Sequence, residues 1–231
     1  MRGSLLSLLP SIFASVLSSA LPPAINIPNV RIFKHDQKAI DNFIREKKET
    51  PYNHDFSGLS CVESGAIIPK SFRLLNESIV IGHGPRDFER ASKLMFSFDM
   101  VNAMPWANVV TGTKKSEMAV GTVLCTLIKC FNSVWTLNPV RVCHISRSSK
   151  KLERVKRIDQ IAYSTISGHL ISGEERFRVT LENNDDVVFE IFSFTKGAGV
   201  LGTLSMPLIR PIQRAFFRDV TYSMKNLMET P

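Results

Sequence analysis

The sequence predicts an α+β fold in which an antiparallel sheet packs against a long C-terminal helix, in one domain. Strand-like stretches follow one another from residue 106 to residue 194, and the last strongly periodic segment, after residue 211, is helical. Strands that occur in a run, instead of alternating with helices, are typical of α+β proteins. A chain of 231 residues is long enough to fill one hydrophobic core.

The composition is that of an ordinary globular chain with a basic surface. Apolar residues make up 44% of the chain and the formal net charge is +8, which favours anionic partners. The alternative is that Lys and Arg simply decorate a solvated surface. Modules that recognise nucleic acid show a basic face interleaved with aromatic residues. The sequence shows no such face, so we expect no nucleic-acid partner.

The cysteines do not indicate a metal or redox site. Cys61, Cys125, Cys130 and Cys143 contain no C-x-x-C pair and no spacing with histidine that suits zinc. Cys125 and Cys130 are an odd number of residues apart in one predicted strand, so their side chains point to opposite faces. We expect buried free thiols, with disulfides as the alternative for an exported protein. We predict neither a metal nor a cofactor.

Residues 1–20 have the features of a targeting segment that precedes the fold. Arg2 supplies a short positive region, Leu5 to Leu17 are mostly apolar, and Ser18 to Ala20 offer small residues for cleavage. A secretory signal peptide, leading to the secretory pathway or the cell exterior, fits this pattern. A plastid or mitochondrial transit peptide is the alternative. Pro10 and the serines shorten the apolar run below the length that a bilayer requires.

Residues 21–50 are predicted to be a linker and a short helix, ahead of a single domain at 51–229. Three prolines between Leu21 and Asn29 favour the linker. Asp36 is placed to cap a helix that runs to Lys48. The stretch from Thr50 to Pro69 is rich in turn residues and leads into the domain.

A strand from Ser71 to Ile81 leads into Gly82-His83-Gly84 and a helix that is predicted to continue to Met100. Glycines ahead of a helix can bind phosphate. This motif is incomplete, and no repeated βαβ pattern follows it. We therefore predict a capping or packing role for His83, with ligand contact as the alternative.

The later strands are separated by turns and by one basic loop. Turns are predicted at Asn138–Pro139 and at Asn183–Asp186. The loop from Arg147 to Arg157 carries six Lys or Arg residues. It is predicted to be a solvated hairpin connection or, alternatively, a peripheral contact with an anionic membrane surface or an acidic ligand. The predicted strands are Val120–Cys130, Val140–Ile145, Ile158–Ile166, Glu174–Leu181 and Val187–Phe194.

The C-terminal helix is predicted to follow a flexible tail. The tail spans Gly197 to Gly202, and Pro207 and Pro211 are expected to lead into the helix. Apolar positions of the helix fall on one face and its arginines on another. The apolar positions are Ile212, Phe216, Val220, Met224 and Leu227, and the arginines are Arg210, Arg214 and Arg218.

The densest cluster of chemically capable side chains lies between Tyr163 and Phe177. Strand alternation places Glu175 on the apolar face of its strand, together with Phe177, and places Glu174 and Arg176 on the opposite face. An inward carboxyl group needs a partner, because burying it alone is costly or forces protonation. The candidate partners are Tyr163, His169, Arg141 and Arg176.

Several ordered motifs between Ile81 and Phe177 resemble one family. Together they resemble the uncharacterised protein family 0548, also called the domain of unknown function nineteen-ninety, over Tyr52 to Met228. The sequence departs from the family pattern at Phe98, Ser164 and Leu170. The motifs are Ile81–Ala91, Val120–Val123, Asn138–Val142, Ala162–Thr165, Gly168–His169 and Ser172–Phe177.

The family resemblance implies no reaction, because none is established for the family. The order of elements is also similar to the START and Bet v 1 helix-grip class. That similarity implies a curved antiparallel sheet that wraps a long C-terminal helix around a hydrophobic cavity.

Three functional hypotheses follow for the cluster. The first is non-catalytic binding of a hydrophobic or amphipathic small molecule in a cavity between the sheet and the C-terminal helix. The second is an enzyme of cyclase or hydrolase type that uses Glu175 and His169. The third is an interaction domain without a small ligand. For Glu175 itself, the structural alternative is that it anchors the loop from Gly168 to Ser172 by hydrogen bonds. The candidate ligand-binding residues are Tyr163, His169, Glu175, Arg176, Arg141 and His83.

Overall fold

The computed structural model describes residues 30–31, 34–61, 67–112, 118–130, 134–148 and 155–230. The predicted targeting segment, the predicted linker 21–29 and the middle of the basic loop, 149–154, lie outside these residues. The helices and strands are β1 Val30–Arg31, α1 Gln37–Glu46, β2 Arg73–His83, α2 Gly84–Phe96, α3 Asp99–Asn102, β3 Ala107–Thr111, β4 Val123–Cys130, β5 Val134–Ser148, β6 Val155–Thr165, β7 Ile171–Glu182, β8 Asp186–Gly197 and α4 Gly199–Glu229.

One antiparallel sheet organises the fold. Its strand order is β2-β8-β7-β6-β5-β4-β3, and β1 pairs with β5. The helix α4 is 31 residues long and packs against β8 and β2, with α2 and α3 beside it. The predicted α+β fold, with a curved antiparallel sheet against a long C-terminal helix in the helix-grip arrangement, is therefore confirmed. No helix in the described part of the chain is both long and apolar enough to span a bilayer.

The sheet has an inner and an outer face, and both are covered. The inner face carries the larger core, in which Phe177 of β7 packs with Met95 of α2 and Val220 of α4. On the outer face α1 covers the sheet, and its amino end is capped as predicted, since Asp36 accepts a hydrogen bond from the Ala39 amide. The outer cluster contains Ile40, Ile44, Val123, Cys125, Leu127, Leu137 and Ile166.

The C-terminal helix begins earlier than the sequence predicts. Residues 199–202, predicted to belong to a tail, form the first turn of α4, and Pro207 and Pro211 lie inside the helix. A Cβ atom at Gly202 would lie 2.2 Å from the Leu170 carbonyl oxygen, so glycine allows the helix to approach that loop closely. Both prolines are exposed, and water can therefore satisfy the carbonyl groups that lack an N–H partner.

Two other predicted boundaries are wrong. Asn138–Pro139 is not a turn but lies inside β5, where the Asn138 side chain donates a hydrogen bond to the Thr126 carbonyl of β4 at 3.0 Å. The predicted helix to Met100 is two helices, because Phe98 adopts a left-handed conformation with φ of 54°. A left-handed residue cannot continue a right-handed helix.

Candidate functional site

Three polar side chains form a row across the inner face of the sheet. Tyr163 of β6 lies directly opposite Glu175 of β7, and Glu175 lies opposite Ser193 of β8. Directly opposite side chains on antiparallel strands are close enough to interact. Phe177 and Val179 share the inner face of β7, as the strand alternation predicts. We call Tyr163, Glu175 and Ser193 the inner row.

Tyr163 and Glu175 form a hydrogen-bonded pair in an apolar environment. The Tyr163 hydroxyl donates to Oε1 of Glu175, and the Tyr163 ring lies 6.3 Å from the Phe98 ring and 5.9 Å from the Phe177 ring, centroid to centroid. Burial raises the pKa of Glu175 to about 7, although the hydrogen bond from Tyr163 opposes this shift. Burial and the neighbouring carboxyl group also raise the pKa of Tyr163. Glu175 is therefore poised to exchange a proton near neutral pH.

The inner row has hydrogen-bonding capacity that the described part of the chain does not fill. Ser193 is 0% exposed, and its Oγ has no hydrogen-bond partner among the described residues. Burying a hydroxyl without a partner costs about 1–3 kcal/mol. Glu175 is deep enough for burial to raise its pKa, yet its side chain is only partly buried.

Aromatic and methionine side chains fill the layer around the inner row. Methionine is unbranched and flexible, so a methionine-rich layer can rearrange around a guest molecule. An apolar guest would therefore displace side chains in this layer. The fully buried members are Phe88, Phe98, Phe177, Phe189, Phe217, Met95 and Met100.

The outer face carries a second polar cluster that the sequence did not reveal. Glu174 is 1% exposed and accepts hydrogen bonds from the Gly58 amide, the Ser60 amide at 2.8 Å, the Ser164 hydroxyl at 2.6 Å and the Cys143 thiol at 3.3 Å. Two of these donors come from the segment that precedes β2 by more than ten residues. Glu174 thus fastens that segment to the outer face, and we call these five residues the outer network.

Arg176 and Arg141 do not join the inner row, although both were candidate partners of Glu175. Arg176 lies on the outer face, where it donates to the Ser60 carbonyl and to Glu190. Arg141 donates to the Lys48 carbonyl at 2.7 Å. The alternation that turns Glu175 inward turns Arg176 outward. Both arginines bind segments that precede β2.

His169 is also separate from Glu175. Its Nδ1 accepts a hydrogen bond from the Ile171 amide at 3.0 Å, and burial lowers its pKa to about 4. The described hydrogen bonds join His169 to Ile171 and Glu175 to Tyr163, so the acid–base pair of His169 and Glu175 stays a prediction. The loop before β7 is instead held by Asn53, whose amide donates to the Ile171 carbonyl at 3.0 Å. Glu175 does not anchor it.

His83 lies far from the inner row. Its side chain is 70% exposed and its Nδ1 lies 3.7 Å from Asp186. Asp186 and Ser193 are seven residues apart on β8, a separation of about 23 Å in an extended strand. His83 sits at the amino end of α2 without a side-chain capping bond. A ligand contact of His83 stays a prediction, and it would lie away from the inner row.

An open cleft lies at the amino end of α4. Its volume is about 710 Å³, and Lys196 is the charged residue of its lining. Sequence periodicity missed the cleft, because its helical wall was predicted to be a tail. The lining consists of Asn53, Ser172, Lys196, Gly197, Ala198, Gly199, Val200, Thr203 and Leu204.

Several known proteins are similar to this chain in sequence or in fold. The chain is 27% identical over 173 residues to the UPF0548 protein At2g17695 of Arabidopsis thaliana, covering 72% of this chain and 82% of that protein. The hypothetical protein jhp0584 of Helicobacter pylori has a similar structure, with a TM-score of 0.49, 8% identity and coverage of 71% of this chain and 96% of the other. A norcoclaurine synthase of Thalictrum flavum is similar with a TM-score of 0.46, 11% identity and coverage of 71% and 98%.

The described residues contain no cluster of three His, Cys, Asp or Glu side chains that could hold a metal ion.

The resemblance seen in the ordered motifs is confirmed at the level of the family. A family model described as a domain of unknown function, DUF1990, matches residues 58–223. The match covers more than half of the chain, and the protein belongs to this family.

Proposed function

We propose that the protein binds an amphipathic small molecule between the sheet and α4, with the molecule's polar group on the inner row. The observation that carries the proposal is the buried Ser193 hydroxyl, which has no partner among the described residues and lies directly opposite Glu175. Ligand sites are typically apolar pockets in which a few polar groups converge. The inner row provides three such groups on adjacent strands.

The chemistry of the inner row favours a hydroxyl or amino group on the ligand. The Ser193 hydroxyl can donate or accept, and Glu175 can accept once it is ionised. An amino group would also stabilise the ionised form of Glu175 and lower its pKa. The apolar part of the ligand would lie among the phenylalanine and methionine side chains of the inner layer.

The experiment combines native mass spectrometry of the purified protein with titration by Nile red, an uncharged dye that fluoresces in apolar sites. We expect a co-purifying small molecule, and dye binding that the molecule competes away. Glu175→Gln and Ser193→Ala should each lose the co-purifying mass. Glu182→Gln, in the same strand, and Ser78→Ala, on exposed β2, are the matched controls. The proposal fails if neither assay shows binding, or if the controls lose as much as the inner-row variants.

Catalysis is the second candidate function, and the pKa of Glu175 near 7 favours it. A carboxyl group with this pKa can both give and take a proton at neutral pH. It differs from the predicted enzyme in using Tyr163, not His169, as the partner of Glu175. Incubation of the co-purified molecule with wild-type protein and with Glu175→Gln separates the two functions. A change in the molecule's mass with wild-type protein alone favours an enzyme, and an unchanged molecule favours a carrier.

A further inference from the structure

Three apolar side chains are exposed together at the amino end of α4. Val200 is 80% exposed, Leu201 62% and Leu204 73%. Single exposed apolar residues are common on protein surfaces, whereas a contiguous group marks an interaction site. These three residues lie within two helical turns, and Val200 and Leu204 also line the open cleft beside the helix.

A cluster of arginines lies further along α4, on the side of the helix that faces β2. Arg73 of β2 and Arg210 and Arg214 of α4 line one small hollow between strand and helix, and all three are exposed. From Leu204, Arg210 lies about 9 Å along the helix and about 120° around it, and Arg214 about 15 Å along and about 80° around, so both arginines flank the apolar group. The chain contains no Asp or Glu between Glu190 and Asp219, so this part of α4 is purely cationic.

We propose that this surface docks on an anionic lipid bilayer. We call Val200, Leu201, Leu204, Arg73, Arg210 and Arg214 the α4 docking face. The three apolar side chains enter the boundary between headgroups and acyl chains, and the three guanidinium groups bind lipid phosphate and carboxylate groups. Basic residues around an exposed apolar face are the usual composition of interfacial helices. The proposal does not depend on the inner row.

The charge of the docking face disfavours a second copy of the chain as the partner. An isologous contact through the apolar group would bring two sets of arginines to one interface. Residues 191–218 supply no acidic side chain to pair with them, and like charges across an interface are destabilising. Anionic lipids offer the complementary charge.

The test is co-sedimentation of the full chain with vesicles of phosphatidylcholine alone and of phosphatidylcholine with about one third phosphatidylserine. We expect binding to the anionic vesicles, weakened at high salt because the screening length falls from about 10 Å at 0.1 M to about 3 Å at 1 M. Leu201→Asp/Leu204→Asp should abolish binding. Arg210→Gln/Arg214→Gln should weaken it about thirty-fold, since each charge near an anionic surface contributes about 1 kcal/mol.

Matched controls use exposed residues elsewhere. Leu74→Asp/Val80→Asp changes two exposed apolar residues of β2, and Lys38→Gln/Lys93→Gln removes two exposed charges. Both controls should bind as wild type does. Equal binding to neutral and anionic vesicles, or retained binding by Leu201→Asp/Leu204→Asp, would overturn the proposal. A third result would also overturn it. If wild-type protein forms a dimer that Leu201→Asp/Leu204→Asp dissociates, while vesicle binding stays the same, the partner at this surface is a second copy of the chain.

Discussion

Glu174 and Glu175 are neighbours in β7, yet they occupy opposite situations. Glu174, on the outer face, is buried and accepts four hydrogen bonds from backbone and side-chain donors. Glu175, on the inner face, accepts one hydrogen bond from Tyr163 and has a pKa raised to about 7 by burial. A carboxylate whose oxygens already accept several hydrogen bonds has a structural role, whereas a carboxylate with one hydrogen bond can accept another from a ligand. The number of donors, not the depth, distinguishes the two roles.

Replacement of each glutamate by glutamine tests this contrast with the largest expected effect. Glu174→Gln replaces one carboxylate oxygen by an N–H₂ group, which then faces the amide of either Gly58 or Ser60, so we expect a loss of about 4 kcal/mol in the free energy of unfolding. Glu175→Gln should cost less than about 1 kcal/mol near pH 5, where the wild-type carboxyl group is protonated. Urea unfolding of both variants measures the difference. Equal losses would show that the two carboxyl groups have the same role.

The pH dependence of the unfolding free energy tests the role of Glu175. Its folded pKa of about 7 exceeds the ordinary value of about 4.3. Between these pH values the folded state keeps a proton that the unfolded state has released, so stability falls as pH rises and the loss is complete above about pH 7. We expect a contribution of at most about 4 kcal/mol. The difference in unfolding free energy between wild type and Glu175→Gln should change between about pH 4 and pH 8, and a constant difference would refute the assignment.

Tyr163→Phe should have a smaller effect on stability, and it should shift the midpoint of the pH dependence in a defined direction. The hydrogen bond from Tyr163 lowers the pKa of Glu175, so its removal should move the midpoint of the pH dependence upward by about one unit. The stability lost near neutral pH should be about 1 kcal/mol. Thermal unfolding over a pH series measures both quantities. Tyr222→Phe, at an exposed position of α4, is the control and should change neither.

Two serines give the finest comparison. Ser164 donates to Glu174 at 2.6 Å, so Ser164→Ala should destabilise by about 1–2 kcal/mol. Ser193 has no partner among the described residues, so Ser193→Ala should be neutral or should stabilise by up to about 1 kcal/mol. Chemical unfolding of the two variants in one buffer measures the difference. The reverse order would contradict the division into a saturated outer face and an unsaturated inner one.

Strand alternation alone was enough to predict that Glu175 lies on the inner face of the sheet. It placed Glu175 with Phe177 on the apolar face of β7. It could also have found Ser193, because the inner face of β8 reads Val187, Phe189, Ile191 and then a serine in the same register. A polar residue at an apolar position of an alternating strand can be recognised from its neighbours in the sequence alone.

The outer network could not be predicted, because its donors come from distant, aperiodic sequence. Ser60 precedes Glu174 by 114 residues and lies in a short 3-10 turn at Leu59–Cys61. No hydrophobic period fixes where such a segment crosses the sheet. The start of α4 was missed for a different reason. Gly202 and Pro207 read as helix breakers, and their acceptability depends on contacts with Leu170 and with solvent that only the folded chain reveals.

The most direct test of the central claim is the ionisation of Glu175 itself. Carbon-detected NMR follows the side-chain carboxyl carbon of each glutamate through a pH titration of the folded protein, and Glu175→Gln assigns the resonance. We expect this carbon to titrate with a pKa near 7, because burial raises the pKa of Glu175 more than its hydrogen bond from Tyr163 lowers it. Titration near 4.3, the value of an exposed glutamate, would show that the inner row is solvated or already paired, and would contradict the claim.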